Sequence, residues 1–120
     1  MTAKTPSASG ISRLLATAGF ERSDYGRPGV MWSAAATGYS VWKTCLQESP
    51  MTPVVAVQHI IKDSHFTTDD EEWRGYLRDI REALERYAEP VRAAGFDAYI
   101  RDRRDEPAWL IVTAKEDSQP

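Results

Sequence analysis

The sequence predicts an α+β domain, a two-layer sandwich in which an antiparallel sheet of about five strands carries two helices on one face, in the order α-β-β-β-α-β-β. Three observations lead to this prediction. Residues 68–94 carry an apolar stripe at helical spacing. Residues 39–61 and 96–114 contain short runs rich in β-branched and aromatic residues. The length of 120 residues suits a single domain.

A first, short helix is predicted near the start of the chain. Ser7 or Ser9 can serve as its N-cap, and Gly19 is a suitable residue to end it. Its apolar face contains Ile11 and Leu15, which must pack on a larger element.

The long second helix is predicted by apolar residues that recur at alternating four- and three-residue steps. Thr68 and Glu71 have the spacing of a capping box at its start, and Gly95 suits a left-handed residue at its end. Pro90 removes one backbone donor, which predicts a kink near Glu89 or two helices in close succession. The stripe that should face the sheet consists of Trp73, Leu77, Ile80, Leu84, Tyr87 and Val91.

Strands are predicted for the runs between the turn signals. The first is a short edge strand, and Thr37-Gly38 form the turn that follows it. Pro50 and Pro53 bracket a loop between the second and third strands, and the last two strands form a hairpin. The predicted strands cover residues 30–32, 39–47, 54–61, 96–103 and 108–114.

Composition sets limits on the surroundings of the domain. Residues 1–9 and 116–120 are polar, and we expect disordered tails on either side of a single domain at 10–115. The lone Cys45 has no partner for an internal disulfide, which predicts a cytoplasmic protein. No apolar run approaches the roughly 20 residues of a membrane span. The net charge of −3 argues against a dedicated nucleic-acid binder, which usually has a basic surplus.

The sheet face opposite the helices is the predicted binding surface. Period-two alternation places Trp42 and His59 toward the helices and a mixture of aromatic and polar side chains away from them. Tyrosine, tryptophan and arginine dominate the energetics of protein interfaces. Aromatic rings beside cations can also stack single-stranded bases, or they can simply pair across strands and stabilise the sheet. The residues predicted on this face are Tyr39, Lys43, Gln58, Tyr99, Arg101, Arg103 and Trp109.

Catalytic and metal sites are weakly supported. The acidic residues at 69–72 are explained by their favourable interaction with the start of the long helix, and their spacing from His59 and His65 matches no known metal-ligand pattern. We therefore expect neither a metal nor a cofactor. Cys45 belongs to no motif that pairs it with a histidine. An enzyme built on a cleft with His59, His65 or Cys45 is the third and last hypothesis.

The predicted element order resembles two known folds. The α-β-β-β-α part resembles a double-stranded-RNA-binding domain, but residues 67–72, at the position of that family's phosphate-binding lysines, are Thr-Thr-Asp-Asp-Glu-Glu and would repel phosphate. The complete order is similar to small secretion-chaperone-like domains, which commonly dimerise and bind protein segments. The glycine–aromatic signature of an RNA-recognition motif is missing from the sequence.

These observations lead to an expected function. We expect a small non-enzymatic protein-binding or adaptor module that uses the aromatic–basic sheet face to contact another protein, with a homodimer as one expected assembly. The alternative is a single-stranded nucleic-acid-binding accessory protein that uses the same face.

Overall fold

The computed structural model describes residues 5–25, 29–30, 35–46, 49–64 and 67–115, and it confirms the predicted α+β class. Within the described residues an antiparallel four-stranded sheet has the strand order β1-β2-β4-β3, and the chain runs α-β-β-α-β-β. The elements are α1 (Ala8–Thr17), β1 (Gly38–Leu46), β2 (Ser49–Ile60), α2 (Asp70–Ala93), β3 (Phe96–Arg103) and β4 (Glu106–Ala114).

The prediction of about five strands differs from the four strands observed. Val30 belongs to no strand, and the rest of the predicted strand at 30–32 lies outside the described residues. The predicted loop at Pro50 and Pro53 was wrong, because both prolines lie within β2. The ladder between β2 and β4 covers only Val55–Val57, so the start of β2 is paired on its β1 side alone. A strand can accept proline where one side has no ladder to interrupt.

Both helices pack on the same face of the sheet and form the main core. Ile11 and Leu15 of α1 are only 1% and 0% exposed. The predicted apolar stripe of α2 is buried from Ile80 onward. Trp73 and Leu77 at the start of the stripe remain partly exposed. The sheet residues in this core include Tyr39, Val55, Val57, Phe96, Ala98, Leu110 and Val112.

Helix α2 begins one residue later than predicted. Its N-cap is Asp69, whose Oδ1 accepts a hydrogen bond from the Glu71 backbone N–H at 2.9 Å, so the predicted cap at Thr68 was wrong. A carboxylate satisfies the same orphan donor as a hydroxyl and adds favourable charge at the helix start. Pro90 lies inside one continuous helix, close enough to its end that only the last turn follows. Gly95 has the predicted left-handed backbone, with φ of 98°.

Three side-chain contacts fasten α2 to the β3–β4 hairpin along its length. The Trp73 indole donates to the Asp105 carbonyl at 3.1 Å, and Arg81 forms an ion pair with Asp102. Near the other end, Arg92 donates from Nε and Nη2 to the carbonyl oxygen of Ala98, at 3.2 and 2.6 Å. The helix is therefore held at both ends of the hairpin as well as through its apolar stripe.

The chain between α1 and β1 crosses the outer edge of the sheet. Its backbone pairs with Tyr39 in parallel fashion: the Ser23 N–H donates to the Tyr39 carbonyl at 2.8 Å, and the Tyr39 N–H donates to the Glu21 carbonyl at 3.0 Å. Gly38 lies under this crossing with φ of 153°. A Cβ atom at Gly38 would lie 2.6 Å from both the Glu21 oxygen and the Ser23 nitrogen. None of the described helices combines the length and apolar character needed to cross a membrane.

Candidate functional site

The helix-free face of the sheet displays two tryptophans that meet across a strand. Trp42 on β1 pairs with Ala56 on β2, and Ala56 pairs with Ile111 on β4, so these three residues form one row. Trp109 lies two residues before Ile111 on the same face. The Trp42 and Trp109 rings pack edge to face, with their centroids 5.1 Å apart. The small side chain of Ala56 leaves the space in which the two indoles meet.

A second apolar cluster lies beneath these rings. Val54, Ala56 and Ile111 are only 3%, 0% and 0% exposed, and both tryptophans pack against them. The tryptophans themselves are half-buried. This face therefore has an aliphatic floor and an aromatic surface layer.

Arg103 completes this layer. Its guanidinium carbon lies 4.3 Å from the centroid of the Trp109 ring, within the distance of a cation–π contact. The same side chain forms an ion pair with Glu106 and donates to the Pro107 carbonyl at 3.4 Å. These contacts hold one face of Trp109 against the guanidinium. We use the name aromatic sheet face for Trp42, Tyr99, Arg101, Arg103 and Trp109.

The structure places five of the seven residues predicted for this face on the helix-free side of the sheet: Gln58, Tyr99, Arg101, Arg103 and Trp109. Tyr99, Arg101 and Arg103 alternate on the helix-free side of β3, and Arg101 pairs directly with Trp109. Tyr99 is 42% exposed, the most exposed large hydrophobic side chain in the part of the chain that the structure describes. Gln58 has the same strand parity as Ala56 and so lies on this face too.

The predicted positions of Tyr39 and Lys43 on this face were wrong, as was the inward position of Trp42. Tyr39 is 1% exposed on the helix side, where its hydroxyl donates to the Ser12 carbonyl at 2.8 Å. Lys43 pairs with Val55 and therefore also points to the helix side of the sheet, although its side chain is exposed. The assignment of β1 was shifted by one residue, which moves every side chain to the opposite face.

His59 lies on the helix side, as predicted, in contact with Tyr87. The His59 Nδ1 and the Tyr87 hydroxyl are 2.6 Å apart and hydrogen-bonded. Burial and the nearby positive charge of Arg86 lower the pKa of His59 to about 4, against a small opposing effect of Asp79. Burial raises the pKa of Tyr87 to about 12. The pair is therefore neutral near pH 7, with one proton shared in a hydrogen bond.

The other residues considered for catalysis or metal binding do not come together with His59. His59 faces Tyr39 on β1, and Cys45 lies six residues farther along that strand, or roughly 20 Å at the usual strand rise. His65 lies outside the described residues. Among the residues that the structure describes, no group of three or more histidine, cysteine or acidic side chains is placed to hold a metal ion.

Comparisons of the chain with protein families, with curated proteins and with solved structures found no match.

Proposed function

We propose that this protein is a small non-enzymatic module that binds another protein through the aromatic sheet face. The observation that carries the proposal is the edge-to-face packing of Trp42 and Trp109, 5.1 Å apart, over a buried aliphatic floor. Tryptophan and arginine grouped at the centre of a surface are the residue types that most often dominate protein–protein binding energy. The arrangement is preorganised, because Arg103 and Trp109 already hold each other in place.

The same geometry favours a protein over a single-stranded nucleic acid as the occupant. Base stacking needs an open ring face. Arg103 covers one face of Trp109, and the contact between Trp42 and Trp109 takes up a further part of the surface of both rings. Arg103 also forms an ion pair with Glu106, and the negative charge of Glu106 weakens the attraction of Arg103 for a phosphate. Nucleic-acid binding by this face therefore remains the alternative function.

The protein bound by this face is either a second copy of this chain or a different protein. We also propose a cytoplasmic location, which the exposed thiol of Cys45 supports because such a thiol persists in a reducing compartment. The proposal includes neither a cofactor nor a membrane.

A photo-crosslinking experiment tests the proposal in cells that produce the protein. Tyr99 is replaced by p-benzoylphenylalanine, and the matched control carries the same replacement at Tyr25, the other exposed large hydrophobic residue of the described part of the chain, at 36% exposure. We expect one discrete protein adduct from position 99 and none of the same mass from position 25. An adduct of twice the chain mass identifies a second copy, which light scattering of the purified protein then checks.

Substitutions then separate the protein hypothesis from the nucleic-acid hypothesis. Trp109→Ala should weaken binding of the crosslinked partner about thirtyfold, as expected for a central aromatic, whereas Arg101→Ala should have a smaller effect with little salt dependence. Trp109→Phe, which keeps a ring over the floor, should retain part of the affinity. The proposal fails if position 99 gives no protein adduct. If a labelled single-stranded oligonucleotide instead binds at low salt and dissociates at moderate salt, and Arg101→Ala flattens that dependence, the alternative is correct.

A further inference from the structure

A cleft lies on the helix side of the sheet, between α1 and the outer edge of β1. Its volume is about 620 Å³, within the range of small-molecule sites. We call it the edge cleft, and its walls include Ser12, Arg13, Ala16, Phe20, Arg22 and Val41. It shares no described residue with the aromatic sheet face, which lies on the other side of the sheet.

Tyr39 positions the two walls of the edge cleft relative to each other. Its hydroxyl donates to the Ser12 carbonyl at 2.8 Å, which fixes α1 above β1, and Arg13 is the next residue of that helix. On the sheet, Arg22 pairs with Tyr39 in a parallel bridge. Paired residues direct their side chains to the same side of a sheet, so Arg22 lies beside Tyr39 and points toward α1. The two arginines therefore flank one tyrosine side chain.

The edge cleft has a local excess of positive charge. Arg13 and Arg22 are exposed, and neither forms an ion pair or a hydrogen bond with another described residue. The described residues of the lining carry no acidic side chain and sum to +2, in a protein whose net charge is −3. Glu21 precedes Arg22, and strand alternation directs it to the opposite side of the sheet. Two like charges beside one cavity repel each other, and an anion bound between them removes that repulsion.

The lower wall of the edge cleft adds an apolar surface. Phe20 and Val41 pack against the main core and remain only half-buried, so part of each side chain lines the cleft. The Phe20 ring is held in place by an edge-to-face contact with Tyr87, at a centroid distance of 4.8 Å. The cleft therefore combines two cations with a positioned aromatic ring.

We propose that the edge cleft binds a phosphate monoester with an apolar substituent. The phosphate accepts hydrogen bonds from Arg13 and Arg22, because the planar fork of a guanidinium matches the oxygens of a phosphate. A phosphate monoester carries nearly two negative charges at pH 7, which balances the two arginines. The substituent lies against Phe20 and Val41, where burial of its apolar surface adds affinity. This site goes beyond the proposed protein-binding function and does not depend on it.

Calorimetric titration of the full chain with phenyl phosphate at low ionic strength tests this proposal. We expect one phenyl phosphate per chain, about tenfold weaker binding of inorganic phosphate, which lacks the ring, and no binding of phenol. Arg13→Gln and Arg22→Gln should each weaken the binding of phenyl phosphate about tenfold, because each removes a charged hydrogen-bond donor. The matched control is Arg78→Gln, an exposed helical arginine outside the cleft, which should leave the affinity unchanged.

A pair of variants at Ala16 tests whether the ligand occupies this cleft. Ala16 is exposed on α1, so both variants should fold. Ala16→Glu places a carboxylate three residues after Arg13 and should abolish binding, whereas Ala16→Gln has the same size without the charge and should retain it. Trp109→Ala alters the aromatic sheet face and should also retain binding. The proposal is overturned if phenyl phosphate does not bind, if Arg78→Gln weakens binding as much as the cleft variants do, or if Ala16→Glu binds as well as Ala16→Gln.

A second titration identifies the source of the phosphate monoester. A short peptide with one phosphotyrosine presents the same aryl phosphate on a polypeptide. Binding of this peptide at least about tenfold more tightly than phenyl phosphate supports a phosphorylated protein as the ligand, because the flanking residues then add contacts. Equal affinity supports a free small-molecule ester. Failure of both ligands to bind overturns the proposal and leaves the protein-binding function of the aromatic sheet face untouched.

Discussion

At the scale of single residues, His59 shows how packing fixes the charge state of a side chain. The imidazole is hydrogen-bonded to Tyr87, whose ring packs edge to face against Phe20 at 4.8 Å and Tyr39 at 6.1 Å. Burial lowers the pKa of His59 from 6.5 to about 4. Protonation is therefore more favourable in the unfolded chain than in the folded one, and His59 opposes folding in acid.

This difference predicts a loss of stability as the pH falls from about 6.5 to about 4. The destabilisation by His59 is absent above about pH 6.5, grows as the pH falls and is complete below about pH 4, because only the unfolded chain binds the extra proton between these values. We expect a decrease of about 1–2 kcal/mol in the free energy of unfolding, less than the full shift implies because the imidazole is partly solvated. Urea titrations at several pH values measure it. His59→Gln should remove this component of the slope, and an unchanged slope would contradict the prediction.

Strand β1 shows which residue-level features the sequence could not resolve. Both of its alternating sets contain an aromatic residue, with Tyr39 in one and Trp42 in the other, so period-two alternation alone fits either face. Long-range contacts determine which set faces the helices: the Tyr39 hydroxyl donates to the Ser12 carbonyl in α1, and the Trp42 ring packs on Trp109 in β4. Strands β3 and β4 were assigned correctly because in each of them only one alternating set is uniformly apolar, and that set lies in the core beneath the helices.

At the scale of whole elements, the start of α2 depends on a single capping carboxylate. Asp69→Ala should lower the free energy of unfolding by about 1 kcal/mol, because the Glu71 N–H loses its acceptor. Thr68→Ala is the matched control and should change stability by less than about 0.5 kcal/mol, since its position precedes the cap. Chemical denaturation of both variants measures the difference. Equal effects, or a larger effect at Thr68, would restore the capping box that the sequence suggested.

The sequence predicted α2 well because its apolar stripe and end signals are local. Six residues at helical spacing and the glycine at position 95 describe the element without reference to the rest of the chain. The length of β2 is not a local property. Pro50 and Pro53 indicate a loop by themselves, and only the one-sided pairing with β1 makes a strand acceptable there.

At the scale of the whole molecule, the packing of the N-terminal part of the chain against the sheet depends on Gly38, because the backbone of Glu21–Ser23 passes directly over it. Gly38→Ala should destabilise the protein by about 2 kcal/mol or more, because the new Cβ would meet two backbone atoms at 2.6 Å in a conformation that favours glycine. The control is Gly75→Ala in α2, where the nearest atom is 3.8 Å away and the helix should gain about 0.5–1 kcal/mol. Thermal unfolding of both variants provides the comparison. A Gly38→Ala variant as stable as the parent would mean that the crossing chain can move away.

The layered arrangement of helices on a sheet could be predicted from the sequence, whereas the candidate site could be predicted only in part. The aromatic sheet face was predicted in part, because Tyr99, Arg101, Arg103 and Trp109 follow the alternation of their strands. The contact between Trp42 and Trp109 could not be predicted, because it joins β1 to β4 across β2 and depends on the strand order of the sheet.

The two outer strands of the sheet have a consequence for the way a partner can approach. On β1 the backbone of Tyr39 is already paired with the crossing chain at Glu21 and Ser23, and on β3 the Ala98 carbonyl accepts two bonds from Arg92. An incoming strand needs a continuous row of free amide and carbonyl groups along an edge strand. On β1 and on β3 one position in that row is already occupied. Aggregation by edge-to-edge pairing of sheets is therefore opposed at both edge strands.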